Sequence, residues 1–355
     1  MKKKVLLEAE RLRYEHSGIA NICKSLILGL QELNDDEISV FGPKKILQKL
    51  SVKNVISWKP VYKFLNFSTK HFDVVHVSHQ LSYYFHRINS KTKKIVTLHD
   101  LNFLHDASKS SKKRKMQRLV QKNIGNADVI VCISNFVKRD FLENKELFKL
   151  QENVKIEVIY NGIIFPQDKH YQSENLNYLL EKPFILSIGV LFPKKNQKTL
   201  LPLLLENDKS LVLISSDEKQ NYKQEFFEEA DKLGVSERIH LLKNISEEEK
   251  YFLLQNCESL CHPSLAEGFG IPPIEAMYFG KPIFLSDRTS LPEIGGDMAY
   301  YFENFSTDEV VKVYKEGLED FEKNKSQRIS ELHRRAGNFS YQTMAKSYLE
   351  IYNSC

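Results

Sequence analysis

Long apolar runs are missing from this 355-residue sequence. No stretch approaches the roughly 18 consecutive apolar residues that a membrane-spanning helix needs. The short apolar run at 5–7, behind Lys2-Lys3-Lys4 and followed at once by Glu8, Glu10, Arg11 and Arg13, lacks the apolar core of about 7–15 residues that marks a signal peptide. Glycine (14) and proline (11) are both scarce, which excludes collagen-like and low-complexity chains. The 5 cysteines, Cys23, Cys132, Cys257, Cys261 and Cys355, are odd in number and scattered, so no disulfide framework is expected. Cys257 and Cys261 stand four apart, a spacing that suits a metal on a helix. No second Cys/His pair follows at finger-like spacing, and the cysteines read as free or buried thiols of a reducing cytoplasm. What remains is ordinary globular material, 42% hydrophobic and 27% charged, enough for about two domains.

Charge is unevenly spread. Residues 1–172 carry 30 Lys and Arg against 17 Asp and Glu, a surplus of 13, and the rest carries 21 against 29. A basic half joined to an acidic half bears on partners. Within the basic half, Lys112-Lys113-Arg114-Lys115 with Arg118 forms a run. It reads either as a solvated helix face or as a contact for anionic lipid or for an acceptor on a lipid diphosphate. No aromatic-interleaved recognition motif accompanies it, so no nucleic-acid partner is expected.

One rhythm fills both halves: a short β-rich run followed by a longer segment of helical periodicity. Strands are predicted at 5–7, 38–41, 73–77, 95–98, 128–133 and 154–159, with an amphipathic helix opening at Ser17-Gly18. The pattern lapses around 161–179, where Asn161-Gly162 signals a turn. It restarts with strands at 184–188, 211–214, 239–242, 259–262 and 282–285 and helices at 197–205, 219–233, 246–256, 272–279 and from 307 onward. Strands alternating with helices give a parallel sheet covered on both faces. The chain therefore reads as two doubly wound, Rossmann-like α/β domains, facing across a cleft. The first spans 1–168, with a helix over 341–355 packing back on it, and the second spans 169–340. Ligands of such sheets bind at the carboxyl ends of the strands.

The densest motif begins where the strand at 259–262 ends: His262-Pro-Ser-Leu-Ala-Glu267-Gly268-Phe269-Gly270-Ile271-Pro272-Pro273-Ile-Glu275, closing at Gly280-Lys-Pro282. The glycines of Glu267–Gly270 let backbone amides approach a ligand. Pro272 and Pro273 suit the first turn of a helix, whose N-terminus offers an anion site. Glu267 and Glu275 bracket that site, and a carboxylate accepts paired hydrogen bonds from vicinal hydroxyls.

This segment resembles the Glu-x7-Glu signature of the family 4 retaining glycosyltransferases, which have the GT-B fold. Gly189-Val190-Leu-Phe-Pro193-Lys194-Lys195-Asn196, Ser290-Leu-Pro292-Glu293, Asn161-Gly162, His99-Asp100-Leu101 and Ser134-Asn135-Phe136 are similar to further family segments. The likeness is weakest over 41–70. It implies that Glu267 contacts a donor sugar with help from the Gly268, Phe269 and Gly270 backbone and from Ile271 at the helix start. It implies that Glu275 holds the nucleotide's ribose and Lys195 neutralises the departing diphosphate. Gly18 would approach that diphosphate, and His99 would lie beside the reacting sugar. His16 and Ser17 fit a helix cap, and His76 and His79 carry no assignment. Many members have Arg where this chain has Val190, with Lys194 and Arg288 as stand-ins.

The resemblance implies a cytoplasmic glycosyltransferase, peripheral to the inner face of the membrane, with domain closure excluding water. It would move a hexose from a nucleotide diphosphate sugar, GDP-mannose ahead of UDP-sugars, to a hydroxyl of a surface-glycan, polysaccharide or lipopolysaccharide intermediate. No Asp-x-Asp occurs, so no metal and no cofactor beyond the nucleotide co-substrate is expected. The alternatives are a nucleotide-sugar epimerase or phosphorylase of the same fold, or an inactive sugar-nucleotide-binding partner.

Overall fold

Strands and helices alternate through a computed structural model of the chain. It describes all residues except 1, 15–16, 34–36, 65–66, 106–109 and 206; His16 lies outside the described residues. The chain divides into two units, Met1–Ile164 with Phe339–Cys355, and Phe165–Asn338. The first break falls slightly before residue 168, and the return begins at Phe339.

Unit 1 holds a seven-stranded parallel sheet: β1 (Val5–Glu8), β2 (Ile38–Gly42), β3 (Asn54–Ser57), β4 (Val74–Val77), β5 (Lys93–Leu98), β6 (Val129–Cys132) and β7 (Lys155–Val158), in the order β3-β2-β1-β4-β5-β6-β7. Register is direct, with Val5 opposite both Ile38 and Val74. The central strands β1, β4 and β6 are buried along their length, because crossover helices cover both faces and leave no polar alternation. That is why they read as apolar runs, broken only by Glu8 and His76.

Unit 2 repeats the plan with six parallel strands: β8 (Phe184–Ile188), β9 (Ser210–Ile214), β10 (Ile239–Leu242), β11 (Ser259–His262), β12 (Ile283–Ser286) and β13 (Ala299–Phe302), ordered β10-β9-β8-β11-β12-β13. Its core gathers Ile185, Leu200, Leu211, Phe226, Phe284 and Phe302. In each unit the strand order turns at one place, between β1 and β4 and between β8 and β11.

Two strands escape the sequence reading. β3 and β13 are edge strands, and most of their residues are only partly buried; β3, Asn54-Val-Ile-Ser57, shows no continuous apolar run, and β13, Ala299-Tyr-Tyr-Phe302, was open to discovery. The segment Gln197–Leu204, expected as an α-helix, is a 3-10 helix with Pro202 inside it. Proline removes a donor and crowds the preceding turn. Cys257 and Cys261 do not share a helix: one ends a helix and the other lies in β11. Both are buried free thiols, and burial pushes Cys257 up to about 12.

After unit 2 the chain rejoins unit 1 through backbone bonds from Ile163 to the Phe339 carbonyl (2.9 Å) and from Tyr341 to the Ile163 carbonyl (3.1 Å). Ser340 then caps the helix Tyr341–Ser354, which packs on the helix Gly18–Glu32. Its Tyr352 hydroxyl lies 2.7 Å from His76 Nδ1, while His76 Nε2 lies 2.8 Å from Thr97 Oγ1, itself 2.8 Å from the Tyr348 hydroxyl. Burial lowers the His76 pKa to about 3, so the ring is neutral and serves this buried network. His76 is thereby explained as a structural residue.

Candidate functional site

The turning point of the second sheet sets two loops side by side. After β8, Gly189 turns the chain at φ 153. Pro193 opens a short turn, Pro193–Lys195, which Asn196 closes in the left-handed region. After β11, the chain runs from Pro263 to Gly270. The loops are tied at Lys194, whose carbonyl accepts the Leu265 N–H at 2.7 Å and the Ser264 hydroxyl at 3.2 Å.

Across this junction Lys195 Nζ pairs with Glu267 Oε1. His262, the final residue of β11, reaches the same oxygen at 2.6 Å through Nε2. A carboxylate only accepts, so His262 Nε2 carries the proton. Burial by itself would raise the Glu267 pKa. The Lys195 charge and the His262 hydrogen bond outweigh it and hold the carboxyl well below the usual carboxylate range. An added Cβ on Gly189 would stand 3.4 Å from Lys195 Cε, so this glycine is the floor on which the lysine stem lies.

The 290s segment braces the second loop. Thr289 Oγ1 accepts the Glu267 N–H at 3.1 Å, and the Ser290 hydroxyl donates to the Phe269 carbonyl at 2.8 Å. Gly270 caps the helix Ile271–Tyr278 at φ 113. A Cβ there would meet Leu291 Cδ2 at 2.9 Å, so both conformation and space require glycine. Pro272 and Pro273 occupy the first turn without N–H groups, which leaves Gly270 and Ile271 as the donors at this helix start. Glu275, on the next turn, is 8% exposed, and its Oε1 accepts from Lys250 Nζ at 2.6 Å.

Val190 stands where many members have arginine, and its carbonyl accepts from Gln197 at 3.0 Å. Arg288, one suggested stand-in, is engaged with Asp287 and with the Glu303 carbonyl at 2.9 Å. Lys194 is exposed. Among the described residues no group of three His, Cys, Asp or Glu could hold a metal.

The first sheet builds its own polar cluster at the same kind of place. His99 follows β5. Its Nε2 donates to the Ser78 carbonyl at 2.9 Å and its backbone N–H to Gln80 Oε1 at 3.1 Å, which leaves Nδ1 with the lone pair. Burial lowers its pKa, so the ring is neutral at neutral pH. His79 follows β4 with its ring centroid 5.4 Å from that of His99. Its Nδ1 accepts the Leu81 N–H at 2.9 Å, with Arg11 Nη2 at 3.4 Å. Glu8 ends β1, is 1% exposed and is pushed up to about 7 by burial. Gly18 is the first residue of the helix Gly18–Glu32, where the Ser17 side chain accepts the Ala20 N–H.

Unit 2 therefore brings together Lys195, Glu267, Gly268, Phe269, Gly270, Ile271 and Glu275, while His99 and Gly18 lie in unit 1. The sequence reading gave no site role to His262, Lys250, Thr289, Ser290, Arg11 or Glu8, and left His79 without assignment. His262 opens the signature and was open to discovery there. Lys250 lies 25 positions from its partner, with nothing local to mark it. The basic run falls on the helix Ser110–Ile124. There Arg114, Lys115, Arg118 and Lys122 line a hollow of about 420 Å³ with Tyr83 and Leu119. Lys113 instead donates to the Leu104 carbonyl. No helix among the described residues is long and apolar enough to cross a membrane.

Two family models match the chain: "Glycosyl transferases group 1" over residues 168–342 and "Glycosyltransferase Family 4" over residues 29–164. The O-antigen chain mannosyltransferase RfbU of Salmonella typhimurium is 25% identical over 216 residues, 61% of this chain and 58% of that protein. A serotype-specific mannosyltransferase WbdA of Escherichia coli is 30% identical over 206 residues, 55% of this chain and 25% of that protein. The chain thus spans a little over half of the first relative and a quarter of the second. Among solved structures, Anabaena Alr3699/HepE in complex with UDP and glucose superposes with a TM-score of 0.73 at 19% identity, covering 99% of this chain and 100% of that one. WaaG, a glycosyltransferase involved in lipopolysaccharide biosynthesis, does so with a TM-score of 0.63 at 12% identity, covering 99% and 100%. These two share the fold.

Proposed function

Because the chain belongs to the family 4 glycosyltransferases with the GT-B fold, we propose that it is a retaining hexosyltransferase working from a nucleotide diphosphate sugar. The bond from the sugar's anomeric carbon to the diphosphate breaks. A bond from that carbon to an acceptor hydroxyl forms on the same face, and the hydroxyl proton leaves with the diphosphate. The observation that carries this reading is the Lys195–Glu267–His262 group at the turning point of the second sheet. A cation and a carboxylate held ready beside a helix N-terminus suit a leaving diphosphate and an electron-poor sugar carbon.

In this reading Lys195 and the N–H groups of Gly270 and Ile271 stabilise the diphosphate, which Gly18 also approaches. Glu267, with the Gly268–Phe269 backbone, holds the sugar, and His99 lies beside its anomeric carbon. Glu275 takes the ribose. The mannosyltransferase relatives support mannose as the sugar and a surface glycan or lipopolysaccharide intermediate as the acceptor, with GDP as the favoured nucleotide. The UDP bound by a protein of like fold supports UDP-sugars as the second choice. In a thermal-shift screen of GDP-, UDP- and ADP-sugars one base should raise the melting temperature above the others. No shift with any of them would overturn the reading.

The reading extends to a cytoplasmic enzyme whose basic first unit rests on an anionic membrane surface. The cations around Tyr83 support it, since no acid lies on the helix Ser110–Ile124. Sedimentation with anionic vesicles should fall as salt rises. Replacing Arg114, Lys115, Arg118 and Lys122 by Gln should remove most of it and leave donor binding intact. Vesicle binding that survives both changes rules the surface out.

A further inference from the structure

Each glutamate of the signature has a lysine of its own, and the second pair has no role in the reading above. Lys250 is the only cation on the helix Glu247–Asn256, whose start is fixed by a full capping box between Ser246 and Glu249. Its Nζ lies 2.6 Å from Glu275 Oε1, with the two side chains 21% and 11% exposed. A charge-assisted bond of that length, largely shielded from water, constrains the carboxylate it touches.

The frame around the pair is rigid. Tyr251, next to the lysine, packs edge-on against Tyr171 and lies 6.0 Å from the Phe279 ring that follows the Glu275 helix. Its hydroxyl donates to Glu247 at 2.9 Å and so does not compete for Glu275. Lys250 Nζ also lies 4.7 Å over the Tyr251 ring, so the ammonium is held from two directions.

We infer that Lys250 is a positioning residue of the nucleotide site, fixing the Glu275 carboxylate for the ribose hydroxyls and cancelling its charge beside the diphosphate. The inference rests on the reading that Glu275 holds the ribose. A carboxylate receives a vicinal diol only when its plane is set toward both hydroxyls. With Oε1 tied to Lys250, rotation about the last side-chain bond is restricted and Oε2 stays open. The charge has a second consequence. Glu275 stands one turn inside a helix whose N-terminus is to receive an anion. Unpaired, it would repel that anion. Paired, it is neutral at a distance and still an acceptor at close range.

The experiment compares each ribonucleotide with its sugar-modified counterpart: GDP against 2′-deoxy-GDP, and UDP against 2′-deoxy-UDP, by calorimetry on the full chain. Whichever base binds should show the ribose form favoured by about tenfold, the scale of one hydrogen bond to a charged group. Lys250→Met should bring that ratio to within about threefold, and Lys250→Arg should restore most of it. Glu275→Ala should abolish it. If Glu275→Ala abolishes the preference while Lys250→Met leaves it intact, the lysine does not position the carboxylate and the inference fails alone. If Lys250→Met weakens both forms equally, its role is structural and the inference fails again. If Glu275→Ala leaves the preference standing, the ribose reading falls and takes this inference with it.

Discussion

Replacing Glu267 by Ala, or His99 by Ala, should lower transfer by about 10²-fold or more, the scale of removing one electrostatic partner of a transition state. Both residues are assigned to the transferred sugar. Interactions that strengthen only as the anomeric carbon loses its diphosphate affect the rate far more than ground-state binding. Nucleoside diphosphate affinity should therefore hold to within about threefold in His99→Ala, about 0.65 kcal/mol on the scale of tenfold per 1.4. In Glu267→Ala it should hold or tighten, because the change frees Lys195 from its pair. Glu267→Gln keeps the shape and separates lost charge from lost packing. Glu275→Ala should behave differently and weaken the nucleotide itself. Nucleotide binding abolished by Glu267→Ala and spared by Glu275→Ala would reverse the two assignments. Full transfer in all three would remove the site from this loop.

The second large effect belongs to Lys195. Its Ala variant should weaken nucleoside diphosphate binding by about 1.5–3 kcal/mol, the range for a hydrogen bond to a charged group, and leave the bare nucleoside nearly unaffected. The geometry adds a reason. Without Lys195 the Glu267 carboxylate keeps only His262 as a partner and faces the incoming diphosphate with its charge uncompensated. Adding Glu267→Ala to Lys195→Ala should thus return part of the affinity, a non-additivity expected of residues in contact. Equal losses for nucleoside and diphosphate would make Lys195 a structural residue.

What the sequence discloses here follows from how locally each feature is encoded. The central strands β1 and β8 are legible because two-sided burial turns them into apolar runs. The edge strand β3 is not, because Asn54 and Ser57 flank only two apolar residues, whereas the likewise part-solvated edges β7 and β10 carry enough β-branched or leucine residues to be read. The order Gly270, Pro272, Pro273, Glu275 is legible because each residue type is tied to a backbone position. The pairing of Lys195 with Glu267 across 72 positions is not. It depends on β8 and β11 being neighbours, a fact of topology that no local pattern carries. His76 and His79 show the limit most plainly. Three residues apart on one strand and its loop, one is locked against Tyr352 and the other lies beside His99, and only the packing around them decides which.

The segment Phe339–Cys355 that completes unit 1 has a consequence for how the chain is made. A ribosome delivers unit 1 in two instalments, with all of unit 2 between them. Unit 2 is one continuous segment, whereas His76 and Thr97, which already face each other through His76 Nε2, meet the Tyr352 and Tyr348 hydroxyls only when the last segment arrives. Each such hydrogen bond contributes about 0.5–1.5 kcal/mol net, a noticeable part of a domain's marginal stability. A chain that ends within unit 2 lacks both hydroxyls, so its first sheet should be cut by protease sooner than that of the full chain.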